Sequence, residues 1–250
     1  MGITNNIGRW AAWTATRPIA QTLVLLGSAI IFAAAALDGQ LPQPWFVAAG
    51  NGVAASVIGS AVAAAAAFAA CRVTMSASLS WIIAAAWFAA TCACALGLLV
   101  SGPNVGVIVA LVEGAVLLAA CLTLARRQTP TILHYLLSAM LIVFGSVHIL
   151  WHDAISQLLP EFMPFRSAWP WVTGSLQLAA GFASISVKLA RTIFPLVAAM
   201  FLAWIPLVHL PRILADPSTG EFGFAAMAVA LAGCLILAVR RLDLRSQSTP

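Results

Sequence analysis

Long apolar runs separated by short polar connections extend along the whole chain. Eight of these runs contain about 19 to 27 residues, and a helix that rises 1.5 Å per residue needs about 20 residues to cross a hydrocarbon core of roughly 30 Å. The runs are continuous and do not alternate apolar with polar residues, which excludes the strands of a β-barrel and favours helices that satisfy their own backbone in lipid. We predict an all-α membrane protein with eight transmembrane helices, at residues 19–37, 44–70, 79–100, 104–125, 131–151, 168–187, 190–210 and 222–240.

Composition and charge agree with a membrane environment. Of the 250 residues, 62% are apolar and 8% are charged, whereas soluble domains contain about 25% charged residues. The net charge of +5 does not indicate a nucleic-acid partner, because the basic residues occur in small groups between the apolar runs. We therefore expect a lipid bilayer around the chain and no nucleic-acid partner.

The basic residues fall on one side of the eight-helix arrangement. Ten of the twelve lie at helix ends or connections of that side, while the other side holds only Arg166 and Arg212 together with five acidic residues. Cytoplasmic connections are enriched in Lys and Arg, so we predict that both termini are cytoplasmic. We further expect a multi-pass protein of the bacterial inner membrane. Small residues at Ala33 to Ala36 would alternatively suit cleavage of the first helix as a signal peptide.

An internal repeat suggests two halves. The stretch AACLTLARR at 119–127 resembles AGCLILAVRR at 232–241, at an offset of 113 positions. We predict an N-terminal four-helix membrane repeat at 1–127 and a C-terminal one at 128–250. All four histidines lie in the second repeat, so a site built on histidine belongs to that half.

Three histidines are predicted near the outer membrane face. His148 and His152 stand four residues apart at the outer end of the fifth helix and would share one helix face. His209 lies at the outer end of the seventh helix, in PLVHLPR. The nearby connections add four charged residues: Asp153, Glu161, Arg166 and Arg212.

This polar group predicts a site for a quinone or a small redox ligand. Such a ligand needs donors for its oxygens, a group that exchanges protons near neutral pH and a flat apolar platform. Imidazole has an unperturbed pKa of about 6.5, so His148, His152 and His209 are candidate catalytic residues. Arginine supplies donors, and Trp151, Trp169 or Trp171 supplies the platform. The further ligand-binding candidates are Arg166, Arg212, Asp153 and Gln177.

Other interpretations of the histidines stay open. His148 and His152 have the spacing of paired metal ligands, with His209 and a carboxylate to complete the set. His148 and His209, on different helices, could ligate a haem. The structural alternative is that all three are interfacial residues bonded to loop backbone.

Glu113 is an acid well inside the fourth apolar run, in VALVEGAVLL. An ionisable group in the membrane is costly and indicates function by default. The alternative is a protonated carboxyl group that is hydrogen-bonded to a neighbouring helix. Gln177 of the sixth helix is a candidate for that partner or for a ligand contact.

From about 131 to 240 the chain resembles the DoxX-like family of four-helix membrane proteins. The likeness rests on a histidine-bearing helix, a proline-containing outer loop, a glycine-rich second helix and the end of a third helix. These motifs read VFGSVHILWHD, LLPEFMPF, TGSLQLAAG and VHLPR. The resemblance implies a role in redox membrane complexes, which include a thiosulfate:quinone oxidoreductase. Gln177 replaces the glutamate frequent in the family's glycine motif, which removes an ionisable group there.

Three functions follow as hypotheses, and the sequence does not decide whether the chain is an enzyme. The first is a redox-linked membrane protein, such as a redox-complex subunit, with its ligand site at the outer face. The second is a scaffold or assembly partner, because each half carries two glycines that lie two turns apart on one helix face and suit helix association. They are Gly52 with Gly59 and Gly174 with Gly181. The third is a metal or solute transporter with Glu113 in its pathway and Pro206 as a helix interruption. Nucleotide-binding, haem-attachment and serine-nucleophile motifs are absent from the sequence.

Overall fold

The structure, a computed structural model, describes residues 23–24, 27–28, 30–31, 83–88, 91–92, 105–126, 131–215 and 219–248. Within these residues all regular secondary structure is helical and no strand occurs, as the continuous apolar runs predict. The elements in chain order are α1 (Val105–Arg126), α2 (Thr131–Leu150), α3 (His152–Gln157), α4 (Trp169–Ser184), α5 (Val187–Trp204), a π-helical segment (Ile205–His209), α6 (Leu210–Ala215) and α7 (Thr219–Ser248).

Four of the described helical stretches are long and apolar enough to cross a membrane. They are Val105–Leu124, Ile132–Leu150, Val187–Ala215 and Glu221–Leu242. Each coincides with a predicted span, so the chain is an all-helical membrane protein. The predicted spans 19–37, 44–70 and 79–100 lie outside the described residues except for short helical pieces.

The predicted span at 168–187 is observed as the shorter helix α4. Its 16 residues extend over about 24 Å at 1.5 Å per residue, less than the roughly 30 Å of a hydrocarbon core. The helix ends in a turn, in which the Ile185 and Ser186 N–H groups bond to the carbonyl oxygens of Phe182 and Ala183. Ser186 then adopts an extended backbone conformation and begins α5.

Glycine lets α2 and α4 pack with their backbones in contact. A Cβ at Gly145 would lie 2.6 Å from the Gly174 carbonyl oxygen, and a Cβ at Gly181 would lie 2.9 Å from the Ser138 carbonyl oxygen. Real side chains do not tolerate such distances. At the far end of this interface the hydroxyl groups of Ser138 and Ser184 are 2.9 Å apart. The Gly174 and Gly181 face therefore packs inside the chain.

Arginine contacts gather helix ends at one end of the bundle. Arg191 at the start of α5 donates to the Leu242 carbonyl oxygen of α7 at 2.8 Å, and Arg241 of α7 donates to the Thr123 carbonyl oxygen of α1 at 3.2 Å. The charge distribution predicts this end to be cytoplasmic, and we call it the inner end. The outer end carries α3, the connection 158–168 and α6.

Helix α7 is packed on several sides. Residues 230–239 of this helix are all buried, which is typical of a helix that is apolar around its whole circumference. A Cβ at Gly233 would lie 2.7 Å from the Val24 backbone nitrogen, so a helical piece of the N-terminal region packs directly on α7. Trp87 donates in turn to Ser28 Oγ of that region at 3.2 Å. The division of the chain into two repeats stays a prediction.

Candidate ligand cavity

A cavity of about 350 Å³ lies between α1, α2, α4, α5 and α7 towards the outer end. Its volume falls in the range of about 300 to 1,000 Å³ that is typical of small-molecule sites. Aromatic residues form much of the wall: Phe144, Trp169, Phe201, Trp204 and Phe224. The polar lining consists of Glu113, His148, Thr173, Gln177, His209, Arg212 and Glu221.

His148 is held against the cavity by α2 and α4. Its Nδ1 lies 2.8 Å from the Phe144 carbonyl oxygen, and because a carbonyl only accepts, Nδ1 carries the hydrogen. Nε2 then has a free lone pair in the neutral ring, with no partner among the described residues. The Gly174 backbone packs closely against His148, since a Cβ at position 174 would lie 2.9 Å from His148 Cβ. The ring is thus oriented, with one nitrogen left for a ligand.

His209 reaches the cavity from the π-helical segment Ile205–His209. Pro206 has no N–H to donate and interrupts the regular helical ladder. Such π-helical turns occur frequently at functional sites. Nδ1 of His209 is buried and has no hydrogen-bond partner in the part of the chain that is described. His148 and His209, assigned to one outer site by sequence, therefore line one cavity.

Glu113 and Gln177 line the deep part of the cavity from opposite helices. Each lies eight residues from the outer end of its helix, which is about 12 Å of helix. Gln177 is 2% exposed, and its Oε1 has no partner within the described residues. An unsatisfied buried acceptor of this kind costs roughly 1 to 3 kcal/mol. No described hydrogen bond joins the two side chains, which favours a ligand contact for Gln177 over a partnership with Glu113.

Arg212 closes the outer mouth together with Glu221. Arg212 Nε donates to Glu221 Oε2 at 2.8 Å, and Nη2 donates to Glu221 Oε1. Nη1 donates to the Leu158 carbonyl oxygen at 2.7 Å. This two-pronged pair balances the guanidinium charge, so Arg212 fastens α6 to α7 and to the outer connection. Arg212 is predicted from the sequence as a ligand contact, whereas Glu221 is not.

His152 does not line the cavity. Helix α2 ends at Leu150, and Trp151 has φ −116° and ψ 32°, which departs from helical values and turns the following residues. The His152 ring packs against Trp171 at a centroid distance of 4.8 Å. Its Nε2 lies 3.3 Å from the Asp153 carboxylate. The structure thus separates His148 from His152, although their spacing predicts one face.

Trp169 is the one predicted platform tryptophan that lines the cavity, and the remaining predicted contacts lie outside its lining. Trp151 is 44% exposed, the Asp153 side chain is 87% exposed, and Arg166 donates to the Gln157 carbonyl oxygen at 3.3 Å. Among the described residues no group of three His, Cys, Asp or Glu side chains is placed to hold a metal ion. One group of polar residues at the outer end therefore lines the cavity, and a second group lies outside it.

Several cavity residues were not chosen from the sequence as site residues. Trp204 and Phe201 lie about one turn apart in MFLAW, just before the π-helical segment. The sequence signal that marks them is their spacing, since residues three apart on a helix lie on the same face. Phe144, one turn before His148, follows the same rule.

No protein-family model, curated protein or solved structure matches the sequence. The cavity and the membrane-spanning helices are therefore the observations from which function is inferred. Membership of the DoxX-like family stays a prediction from the quoted motifs.

Proposed function

We propose that this membrane protein binds a quinone or a related small redox ligand in the cavity near its outer end. The observation that carries the proposal is the convergence of His148, Gln177 and His209, each from a different helical element, on one apolar cavity. Each of the three has a nitrogen or oxygen without a partner among the described residues. An unpaired polar group in an apolar cavity is the arrangement that orients a ligand.

The walls of the cavity suit a flat ring. Trp169 and Trp204 meet edge to face with centroids 5.8 Å apart, and Trp169 is fixed by a 3.0 Å hydrogen bond from Nε1 to the Pro164 carbonyl oxygen. Phe144 and Phe201 form a second edge-to-face pair at 6.3 Å. Aromatic contacts of this kind add about 0.5 to 1.5 kcal/mol beyond the buried area. A quinone ring would gain from them.

The polar residues would orient the ligand and exchange its protons. His148 Nε2 can accept the proton of a bound hydroxyl group, and a positioned base of this type is the usual device for such a transfer. Glu113 is a second titratable group at the deep end of the cavity. Electrons would pass to or from a partner protein, which makes the chain a subunit of a redox complex in this proposal.

The observed packing gives less support to the two other hypotheses. Gly174 and Gly181 face α2 within the chain, so this face is not free to bind another protein, while Gly52 and Gly59 lie outside the described residues. The π-helical segment begins 18 residues after the start of α5 at Val187, close to the outer end. A transport pathway would be expected to interrupt a helix near the middle of the membrane.

The test is the ligand content of the purified protein. We expect wild-type protein to retain quinone through purification and His148→Ala to lose most of it. His152→Ala is the matched control, because His152 belongs to the neighbouring turn but lies outside the cavity. Extraction followed by chromatography measures the quinone, and an absorbance spectrum with metal analysis of the same samples identifies any other group.

Two outcomes would count against the proposal. Wild-type protein that neither retains nor rebinds a quinone in lipid nanodiscs would remove its basis. Equal quinone content in His148→Ala and wild type would show that the ligand lies elsewhere. Loss of quinone from His152→Ala alone would assign the site to the exposed outer surface.

A further inference from the structure

We propose that the outer connection 158–168 inserts into the headgroup layer of the adjoining leaflet, with Phe162 and Phe165 as its apolar anchors. The partner of this surface is the lipid itself, and the insertion does not depend on the ligand proposed above. Leu158 of the same connection lines the cavity, so the cavity mouth would lie at the same depth.

The outer connection begins at the boundary of the hydrocarbon core. Helix α2 has 20 residues and extends over about 30 Å, which matches the thickness of the core. A Cβ at Gly145 of α2 would lie 2.6 Å from the Gly174 carbonyl oxygen of α4, so these two glycines stand at the same height. Leu150, the last residue of α2, and Trp169, the first residue of α4, are each five residues from them. Both helices therefore end at one height, and the segment between them lies at the level of the headgroups.

The apolar side chains of this connection point in two directions. Leu159 and Met163 are buried in a small cluster with Val208, which fastens the connection to the bundle. Phe162 and Phe165 are instead 65% and 83% exposed, so the described part of the chain does not cover them. An apolar surface at headgroup depth is covered by lipid, as in interfacial amphipathic segments.

The helix ends beside the connection carry exposed apolar side chains as well. Leu150 at the end of α2 is exposed, and so are Trp151 and Trp171, a residue type that is enriched at membrane interfaces. Glu161, which precedes Phe162, is exposed and can keep its charge in water at this depth. The two phenylalanines therefore adjoin the lipid-facing surface of the spanning helices.

Phe165 has a strained backbone conformation. Its φ is 54°, in the left-handed region that a bulky residue rarely adopts. Its carbonyl oxygen accepts a hydrogen bond from the Ala168 N–H group at 2.8 Å, and Trp169 Nε1 donates to the neighbouring Pro164 carbonyl oxygen at 3.0 Å. Glycine would adopt this conformation without strain, yet the chain has an exposed phenylalanine here. Strain of this kind accompanies functional positions, and burial of the ring in lipid would offset its cost.

Spin labels at single cysteines measure the depth of the connection. The full chain without its five native cysteines is placed in nanodiscs of phosphatidylethanolamine and phosphatidylglycerol, with a nitroxide attached at Phe162→Cys, Phe165→Cys or Asp153→Cys. Oxygen concentrates in lipid whereas a nickel chelate stays in water, so the ratio of their collision rates with the label reports its surroundings. We expect this ratio to be several times higher at positions 162 and 165 than at 153, whose side chain is 87% exposed.

Phe165→Gly separates the insertion from the fold. Glycine keeps the observed φ without strain, so this variant should retain the midpoint of thermal unfolding. The nitroxide at position 162 should nevertheless collide more often with the nickel chelate, because one anchor is missing. Ser167→Ala, at an exposed position of the same connection, is the matched control and should change neither quantity.

Two results would contradict the proposal. Labels at positions 162 and 165 that meet the nickel chelate as often as a label at position 153 would overturn the insertion and assign the two rings to a partner protein. A label at position 162 that is unaffected by Phe165→Gly would overturn the anchoring role of Phe165.

Discussion

His134 has a structural role, in contrast to His148, which lines the cavity. It is 2% exposed, its Nε2 donates to the Ser184 carbonyl oxygen, and its ring meets Phe194 at a centroid distance of 5.8 Å. It lies 14 residues before His148 on α2, which is about 21 Å of helix. This residue therefore connects α2 to α4 at the inner end and is remote from the cavity.

We expect His134→Ala to lower stability without affecting the ligand. The substitution leaves the buried Ser184 carbonyl oxygen without this donor, which costs about 1 to 3 kcal/mol. The midpoint of thermal unfolding in detergent should fall, while quinone content per folded protein stays at the wild-type value. A variant with wild-type stability and reduced quinone content would instead give His134 a role in ligand binding.

The pair of Arg212 and Glu221 should show measurable coupling. The two side chains are 26% and 11% exposed, so water screens their interaction less than at an open surface. We expect Glu221→Gln to lower the free energy of unfolding by about 1.5 to 3 kcal/mol, the usual contribution of a hydrogen bond to a charged group. A double-mutant cycle with Arg212→Met measures the coupling. Additive effects of the two substitutions would mean that the pair does not fasten the outer mouth.

At the level of helices, two glycines of α4 offer a matched comparison. A Cβ at Gly174 would lie 2.9 Å from His148 Cβ, whereas a Cβ at Gly181 would meet Ile142 and the Ser138 carbonyl oxygen. Both alanine substitutions should destabilise the protein by about 1 to 3 kcal/mol through overpacking. Only Gly174→Ala should also weaken quinone binding, because it displaces His148. Titration and thermal unfolding of both variants check this, and equal effects on binding would contradict it.

Helix positions could be predicted from the sequence far better than helix irregularities. The predicted span 104–125 is observed as Val105–Arg126, and 131–151 as Thr131–Leu150. The length of an apolar run indicates how many residues of a helix lie in the lipid, so the first and last residues of these helices follow directly from the sequence. The turn at Trp151 and the π-helical segment cannot be predicted in this way, because a local change in backbone hydrogen bonding leaves the apolar pattern of the sequence unchanged. Pro206 indicated a kink but not its geometry.

The sequence predicts how deep in the membrane each candidate residue lies, but not the direction in which its side chain points. Glu113, His148, Gln177 and His209 were chosen because each is polar within an apolar run, and all four line the cavity. His152 has the same sequence signal and points to Trp171 instead. Distance along a helix fixes the depth of a residue, whereas its direction depends on backbone angles and helix packing that a single sequence does not contain.

For the whole molecule, the orientation in the membrane is a prediction that labelling can test. The structure gathers Thr123, Arg191 and Leu242 at the inner end, and Leu158 with Arg212 at the outer end. The excess of basic residues at the inner end predicts that this end is cytoplasmic. The outer end, with the cavity mouth, would then face away from the cytoplasm.

Single cysteines at Glu161 and Lys188 decide the orientation. Both positions are exposed; Glu161 belongs to the outer connection, and Lys188 lies at the start of α5 at the inner end. In a background without the five native cysteines, a membrane-impermeant maleimide should label Glu161→Cys in intact cells. It should label Lys188→Cys only after the membrane is permeabilised, because a bilayer separates the two ends. The reverse pattern would place the cavity mouth on the cytoplasmic side, so that a redox ligand bound there would exchange its protons with the cytoplasm.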